Sequence, residues 1–164
     1  MKKLIIGFDP GLNNTGWGII ENLSNSEKYV NHGLISTKKD IPLGQRLNMI
    51  YEGVSELFSE YSPESIAVEK IFSNKNPQST LKLGNARAII FLVAARFKVD
   101  IFEYSPNTVK KNLVGYGHAE KSQIIKMIER FFPGLRSLNH DSADALAVAI
   151  CHSMQKKSKI NLFV

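Results

Sequence analysis

Four carboxylates stand where an acid is awkward for folding. Asp9 ends the apolar run Leu4-Ile5-Ile6-Gly7-Phe8, and Glu69 ends the run Ser65-Ile66-Ala67-Val68. Asp141 and Asp144 open an apolar stretch that continues Ala145-Leu146-Ala147-Val148-Ala149-Ile150. A buried or half-buried carboxylate is costly unless it is paired or bound to a cation. Acids converging at strand ends and a helix start are what two divalent cations require. Two such ions ~3.5–4 Å apart activate a water and stabilise the leaving oxygen of a phosphodiester. The chemistry indicated is metal-dependent phosphodiester hydrolysis. Taken singly, the acids have plainer readings. Asp9-Pro10-Gly11 is a turn-former, and Asp141 is a helix cap or first-turn acid. Capping does not explain Glu69, and four unrelated explanations are a weaker account than one shared site. His140 is a possible ligand or base; a surface-loop histidine is the plainer reading.

The elements that must position these acids are legible in the hydrophobic period. Residues 3–9 read as a buried strand, and 15–23 and 28–36 as two further strands of a meander, separated by the turn-like Ser24-Asn25-Ser26. Leu43, Leu47, Ile50, Val54, Leu57 and Phe58 give helical spacing across 43–61, and 64–69 reads as a fourth strand. A helix over 78–97, a strand over 99–103 and helices over 106–112, 120–132 and 140–156 complete the order βββαβαβααα. Three meandering strands followed by βα units predict a mixed five-stranded sheet with helices on both faces. Alternation puts Ile5, Gly7 and Asp9 on one face of the first strand, with Asp9 at its carboxyl end. If the first and fourth strands are parallel neighbours, Asp9 and Glu69 meet. Asp141 and Asp144, three apart, share one helix face. The segment Ile89-Ile90-Phe91-Leu92-Val93-Ala94-Ala95 is apolar on nearly every face, so its helix must be covered on both sides. The sheet supplies one cover, and a second subunit is the expected other, giving a homodimer through 78–97.

Length and charge narrow the partner. The 164 residues suit one domain with a real core, 1–164, and no linker or repeat interrupts them. The net charge of +6 is unevenly spread: residues 1–69 carry −3, 70–139 carry +8 and 140–164 carry +1. A basic middle third predicts a polyanionic partner, most simply nucleic acid. Cys151 is the only cysteine, which excludes an intrachain disulfide and fits a reducing, cytoplasmic setting. Neither a leader-like segment nor a run of ~18 apolar residues is seen, so no membrane role is expected.

The motifs together resemble the RuvC-type crossover junction endodeoxyribonucleases of the ribonuclease-H-like fold, across essentially the whole chain. The matching segments are Gly7-Phe8-Asp9-Pro10-Gly11 with Thr15-Gly16-Trp17-Gly18, Ala67-Val68-Glu69-Lys70-Ile71-Phe72, Lys82-Leu83-Gly84-Asn85-Ala86-Arg87, Ala119-Glu120-Lys121-Ser122-Gln123 and Asp141-Ser142-Ala143-Asp144-Ala145-Leu146-Ala147. The Asp-Pro-Gly element alone is weak; the combination is specific. The resemblance implies that Asp9, Glu69, Asp141 and Asp144 are the catalytic, metal-holding acids. It also implies two Mg²⁺ per subunit, with Mn²⁺ a plausible substitute, as hard oxygen ligands favour. Cutting would leave 5′-phosphate and 3′-hydroxyl ends on a four-way junction in recombination and repair. Lys110 and Lys121 resemble the family's phosphate-binding lysines, and Phe72 an aromatic that wedges or stacks at the crossover. Lys75, Lys82, Arg87 and Lys111 are candidate backbone contacts, and a branch-migration complex is an implied partner.

Other readings fit less well. An actin-like ATP-handling protein needs two such domains. A non-catalytic binding module would not need all four acids. A ribonuclease-H-like enzyme acting on RNA is separable only by 2′-hydroxyl contacts, which sequence does not reveal. The Lys156-Lys157-Ser158-Lys159 tail is expected to fray.

Overall fold

A computed structural model describes residues 2–71, 77–135 and 138–161. The elements run β1 Leu4–Asp9, β2 Asn14–Asn22, β3 Glu27–Ser36, α1 Leu43–Tyr61, β4 Ser65–Glu69, α2 Pro77–Phe97, β5 Asp100–Tyr104, α3 Pro106–Val114, α4 Lys121–Phe131 and α5 His140–Asn161. The sheet order is β3-β2-β1-β4-β5. The meander β1–β2–β3 is antiparallel, and β1–β4 and β4–β5 are parallel. This is the mixed sheet expected from the βββαβαβααα order.

Two cores lie on opposite faces of the sheet. Leu4, Ile6 and Phe8 of β1, with Ile66 and Val68 of β4, pack under α1 and α2. Ile5, Ile20 and Ala67 pack under α3, α4 and α5. The period-2 alternation of β1 therefore sends Asp9 to the α5 side, as the sequence pattern requires.

The central helix α5 lies almost on the strand backbones. A Cβ on Gly7 would fall inside the carbonyl of Ala145, and one on Gly16 inside the carbonyl of Asp141. No other residue type permits that approach without moving the helix. Gly16 is also the register partner of Asp9. The same missing side chain that admits the helix thus brings Asp141 beside Asp9.

Element ends follow local chemistry. Helix α3 runs past the expected stop at 112 and ends where Gly115 takes φ +89°. Helix α5 extends beyond 156 instead of fraying there. Lys156 Nζ lies 2.9 Å from Glu64 and Lys157 Nζ 2.8 Å from Glu27, so these two of the tail's three lysines are tied to the body. In α2, Ala86, Ile90, Val93 and Ala94 are buried, whereas Leu81 and Leu92 are 68% and 51% exposed. The sheet-side cover of this helix is present, and its outer apolar face is open. Among the described residues, no helix is long and apolar enough to cross a membrane.

Candidate active site

Asp9 and Glu69 end adjacent parallel strands. The β1–β4 ladder pairs Phe8 with Val68, which sets the two carboxylates side by side at the carboxyl edge of the sheet. Open α/β sheets build their sites at this edge. The turn after Asp9 is held from several sides. Thr15 Oγ1 donates to Gly11 O at 2.8 Å, and Thr37 Oγ1 donates to Leu12 O. Arg46, buried in α1, donates through Nε to Thr37 Oγ1 and through Nη2 to Leu12 O and Asn13 Oδ1, at 2.8, 3.0 and 2.6 Å. Nothing in the local pattern announces this clamp, because a lone arginine on an amphipathic helix reads as surface.

Asp141 and Asp144 enter from the first turns of α5. Asn139 caps the helix: its Oδ1 accepts from Ser142 N at 2.8 Å. Asp141 is therefore not the cap but an acid of the first turn, the other half of its plainer reading. Glu69 and Asp144 share a cavity of about 40 Å³ with Lys110. Asp9 and Glu69 line a second depression of about 200 Å³ together with Lys70, Pro106 and Leu83. Larger grooves of about 610 and 820 Å³, lined by residues such as Tyr116 and Met127 or Ser55 and Phe97, hold none of the four acids. A shallow, open site suits a polymer backbone better than a small molecule.

The electrostatics record the crowding. Burial first, then Asp144, Asp141 and Glu69, push the Asp9 carboxyl up to about 8, against the pull of Lys121. Glu69 is raised by burial and Asp144, with Lys110 and Lys121 opposing. Asp144 is raised by burial, while the Lys121 ammonium, 3.5 Å from its Oδ2, pulls it back. His140 is exposed at the helix start and lowers Asp144 slightly further. Among the described residues, no three His, Cys, Asp or Glu side chains converge closely enough to hold one ion as they stand. The acids are electrostatic neighbours, with Asp9, Glu69 and Asp144 each raised by one or more of the others.

Lys121 owes its place to a capping box. Glu120 caps α4, and its backbone N–H donates to Gln123 Oε1 at 2.9 Å, which explains the Ala-Glu-Lys-Ser-Gln motif. Of the other basic candidates, Lys110 faces Glu69, whereas Lys82 and Lys111 are exposed on α2 and α3. Arg87 pairs with Glu103 and lies 4.3 Å over the Phe91 ring, so it is engaged within the fold. Phe72 and Lys75 lie outside the described residues. Lys70, visible in sequence only as part of the motif that follows Glu69, lines the depression beside Asp9.

Comparison with known proteins agrees with this geometry. The family model described as crossover junction endodeoxyribonuclease RuvC matches residues 5–152. A protein of that name from Bartonella bacilliformis is 46% identical over 155 residues, covering 94% of this chain and 93% of its own. Another from Agrobacterium fabrum is 46% identical, covering 91% and 88%. Among solved structures, Thermus thermophilus RuvC in complex with a Holliday junction substrate superposes with a TM-score of 0.89 at 27% identity, covering 96% of each chain. The yeast mitochondrial Holliday junction resolvase Ydc2, at 11% identity and a TM-score of 0.67, shares the fold. The chain belongs to the RuvC family of crossover junction endodeoxyribonucleases, metal-dependent nucleases of the ribonuclease-H-like fold.

Proposed function

We propose that this protein resolves four-way DNA junctions by paired symmetric nicks, with Asp9, Glu69, Asp141 and Asp144 as its metal-holding acids. The observation that carries the reading is the crowding of these carboxylates around Asp9, whose carboxyl is pushed up to about 8 by burial and then by repulsion from Asp144, Asp141 and Glu69. Lys110 and Lys121 offset only part of that repulsion. The donor set is entirely oxygen, and Cys151, the lone thiol, is buried in the core under α5. Hard, multiply charged donors of this kind fit Mg²⁺, with Mn²⁺ as a substitute, and a pair of ions per subunit matches their charge. When bound, such ions supply Lewis-acid stabilisation and a more acidic water.

The chain's own residues do the rest. The acids fix where charge is neutralised, at the mouth of the sheet. Lys121, 72% exposed in its side chain, reaches from α4 toward Asp144 and is free to swing to a phosphate oxygen. Lys110 and Lys70 flank the two depressions and hold the backbone over the acids. Hydrolysis places the new hydroxyl on the phosphorus and expels the 3′ oxygen, leaving a 5′-phosphate. The open apolar face of α2, with Leu81 and Leu92, supports a homodimer, and twofold symmetry suits a substrate with two equivalent strands. Lys82, Lys111, Phe72 and Lys75 remain candidate DNA contacts, and a branch-migration complex a candidate partner.

The test uses a synthetic mobile four-way junction and a linear duplex of matching sequence, with Mg²⁺ or EDTA. Symmetric Mg²⁺-dependent nicks in the junction alone support the reading. Binding without cutting in any divalent metal refutes it. Asp9→Asn should abolish cutting and preserve junction binding.

A further inference from the structure

A buried side-chain network ties together the elements that carry the acids. His152, 2% exposed on α5, lies with Nε2 3.0 Å from Ser65 Oγ and Nδ1 2.7 Å from Tyr104 Oη. Its ring stacks on Phe102 at 4.3 Å between centroids, 27° from parallel. Burial pushes the Tyr104 phenol up to about 12, so its hydroxyl keeps its proton, and the His152 ring is held at both nitrogens between two hydroxyls, one from β4 and one from β5.

The placement of these three residues gives the network its meaning. Ser65 begins β4 and Glu69 ends it, on the same face of the strand. Tyr104 is the β5 register partner of Glu69, and its carbonyl accepts from Lys70 N at 2.8 Å. His152 follows Asp144 by eight residues and Asp141 by eleven, which returns it near the same side of α5 after about two and three turns. Beneath the first turns of this helix the interface is built largely of small residues. Gly7, Gly16 and Gly18 face its backbone or Leu146, and Ala67, Ala143 and Ala147 pack among the core residues on that side of the sheet. Small side chains permit close approach, but they offer few ridges to resist sliding or rotation. Directional bonds to a rigid ring add resistance at β4 and β5, beside the tethers from Ser153 and Lys157 to Glu27 and from Lys156 to Glu64 nearer the end of the helix.

We propose that His152 is a positioning residue of the nuclease centre: by bridging Ser65 and Tyr104 it fixes the register of α5 against β4 and β5, and so the placement of Asp144 opposite Glu69. The inference rests on the four acids being the metal site. Tyr104→Phe and Ser65→Ala each delete one bond while leaving the packing nearly intact. Each should raise the Mg²⁺ concentration for half-maximal junction cleavage about three- to tenfold and lower the saturating single-turnover rate. Junction affinity in EDTA should stay within about twofold, because the DNA-facing surface is untouched. A merely structural bond would lower the melting temperature and leave the Mg²⁺ midpoint where it was, which overturns the proposal. A parallel loss of junction affinity overturns it too. Asp144→Asn, assayed alongside, separates the two levels. If it cuts normally, the acid reading fails and this inference with it. If it is dead while both network variants keep the wild-type midpoint, only this inference fails.

Discussion

Replacing Asp9 by Asn should stabilise the metal-free protein while destroying its activity. Asp9 holds its proton in the folded chain up to about pH 8, against an ordinary value of 3.8. Folding therefore takes up a proton between these limits, and the stability present below about pH 4 is lost as pH rises through about 8. A displacement of about four units, at roughly 1.36 kcal/mol each, sets a ceiling of roughly 5–6 kcal/mol. Side-chain relaxation, water entry and sharing of the strain with Glu69 and Asp144 bring the expected gain nearer 2–3 kcal/mol, in line with replacing an uncompensated buried charge by a neutral isostere. For a domain of this size that is roughly 5–10 °C in Tm. The assay is thermal unfolding in EDTA from pH 5 to pH 9, for wild type and Asp9→Asn. The wild type should lose stability toward pH 9, and the variant should lose much less. Added Mg²⁺ should then raise the wild type more than the variant. A variant no more stable than wild type at pH 9 in EDTA would refute the account of Asp9 as an uncompensated acid.

Four other outcomes are expected. Gly16→Ala places a methyl inside the Asp141 carbonyl, so it should destabilise the fold by about 1–3 kcal/mol and depress cleavage further than stability explains, read by urea unfolding beside single-turnover kinetics. Lys121→Ala removes the ammonium beside Asp144. Mn²⁺ affinity without DNA, by calorimetry, should hold or tighten, while junction cleavage falls about a hundredfold. Leu92→Glu, on the half-exposed outer face of α2, should leave circular dichroism unchanged and convert the proposed dimer to monomer in sedimentation; an unchanged mass would remove that surface from the interface. Neutralising Lys110 and Lys111 together should reduce the salt slope of junction binding by about one to two, as phosphate contacts do.

Sequence and structure divide the protein along a physical line. The strand carrying Asp9, its face and its carboxyl-end position were legible because a period of 2 fixes orientation locally. The spacing of Asp141 and Asp144 was legible because residues three apart on a helix share a face. The basic middle third was visible as composition, and the family as a set of motifs. Local pattern does not encode which strands pair, so the meeting of Asp9 with Glu69 stayed conditional until β1 and β4 proved parallel neighbours. Gly16 read only as a strand position within a motif; the descent of α5 onto β2 shows it as the gap that admits Asp141. Lysine tails read as frayed until Glu64 and Glu27, distant in sequence, came within reach of Lys156 and Lys157. Arg46 and His152 were silent in sequence for the same reason. Their partners come from other elements, and a hydrogen bond across 34 or 87 residues exists only once the chain has closed on itself.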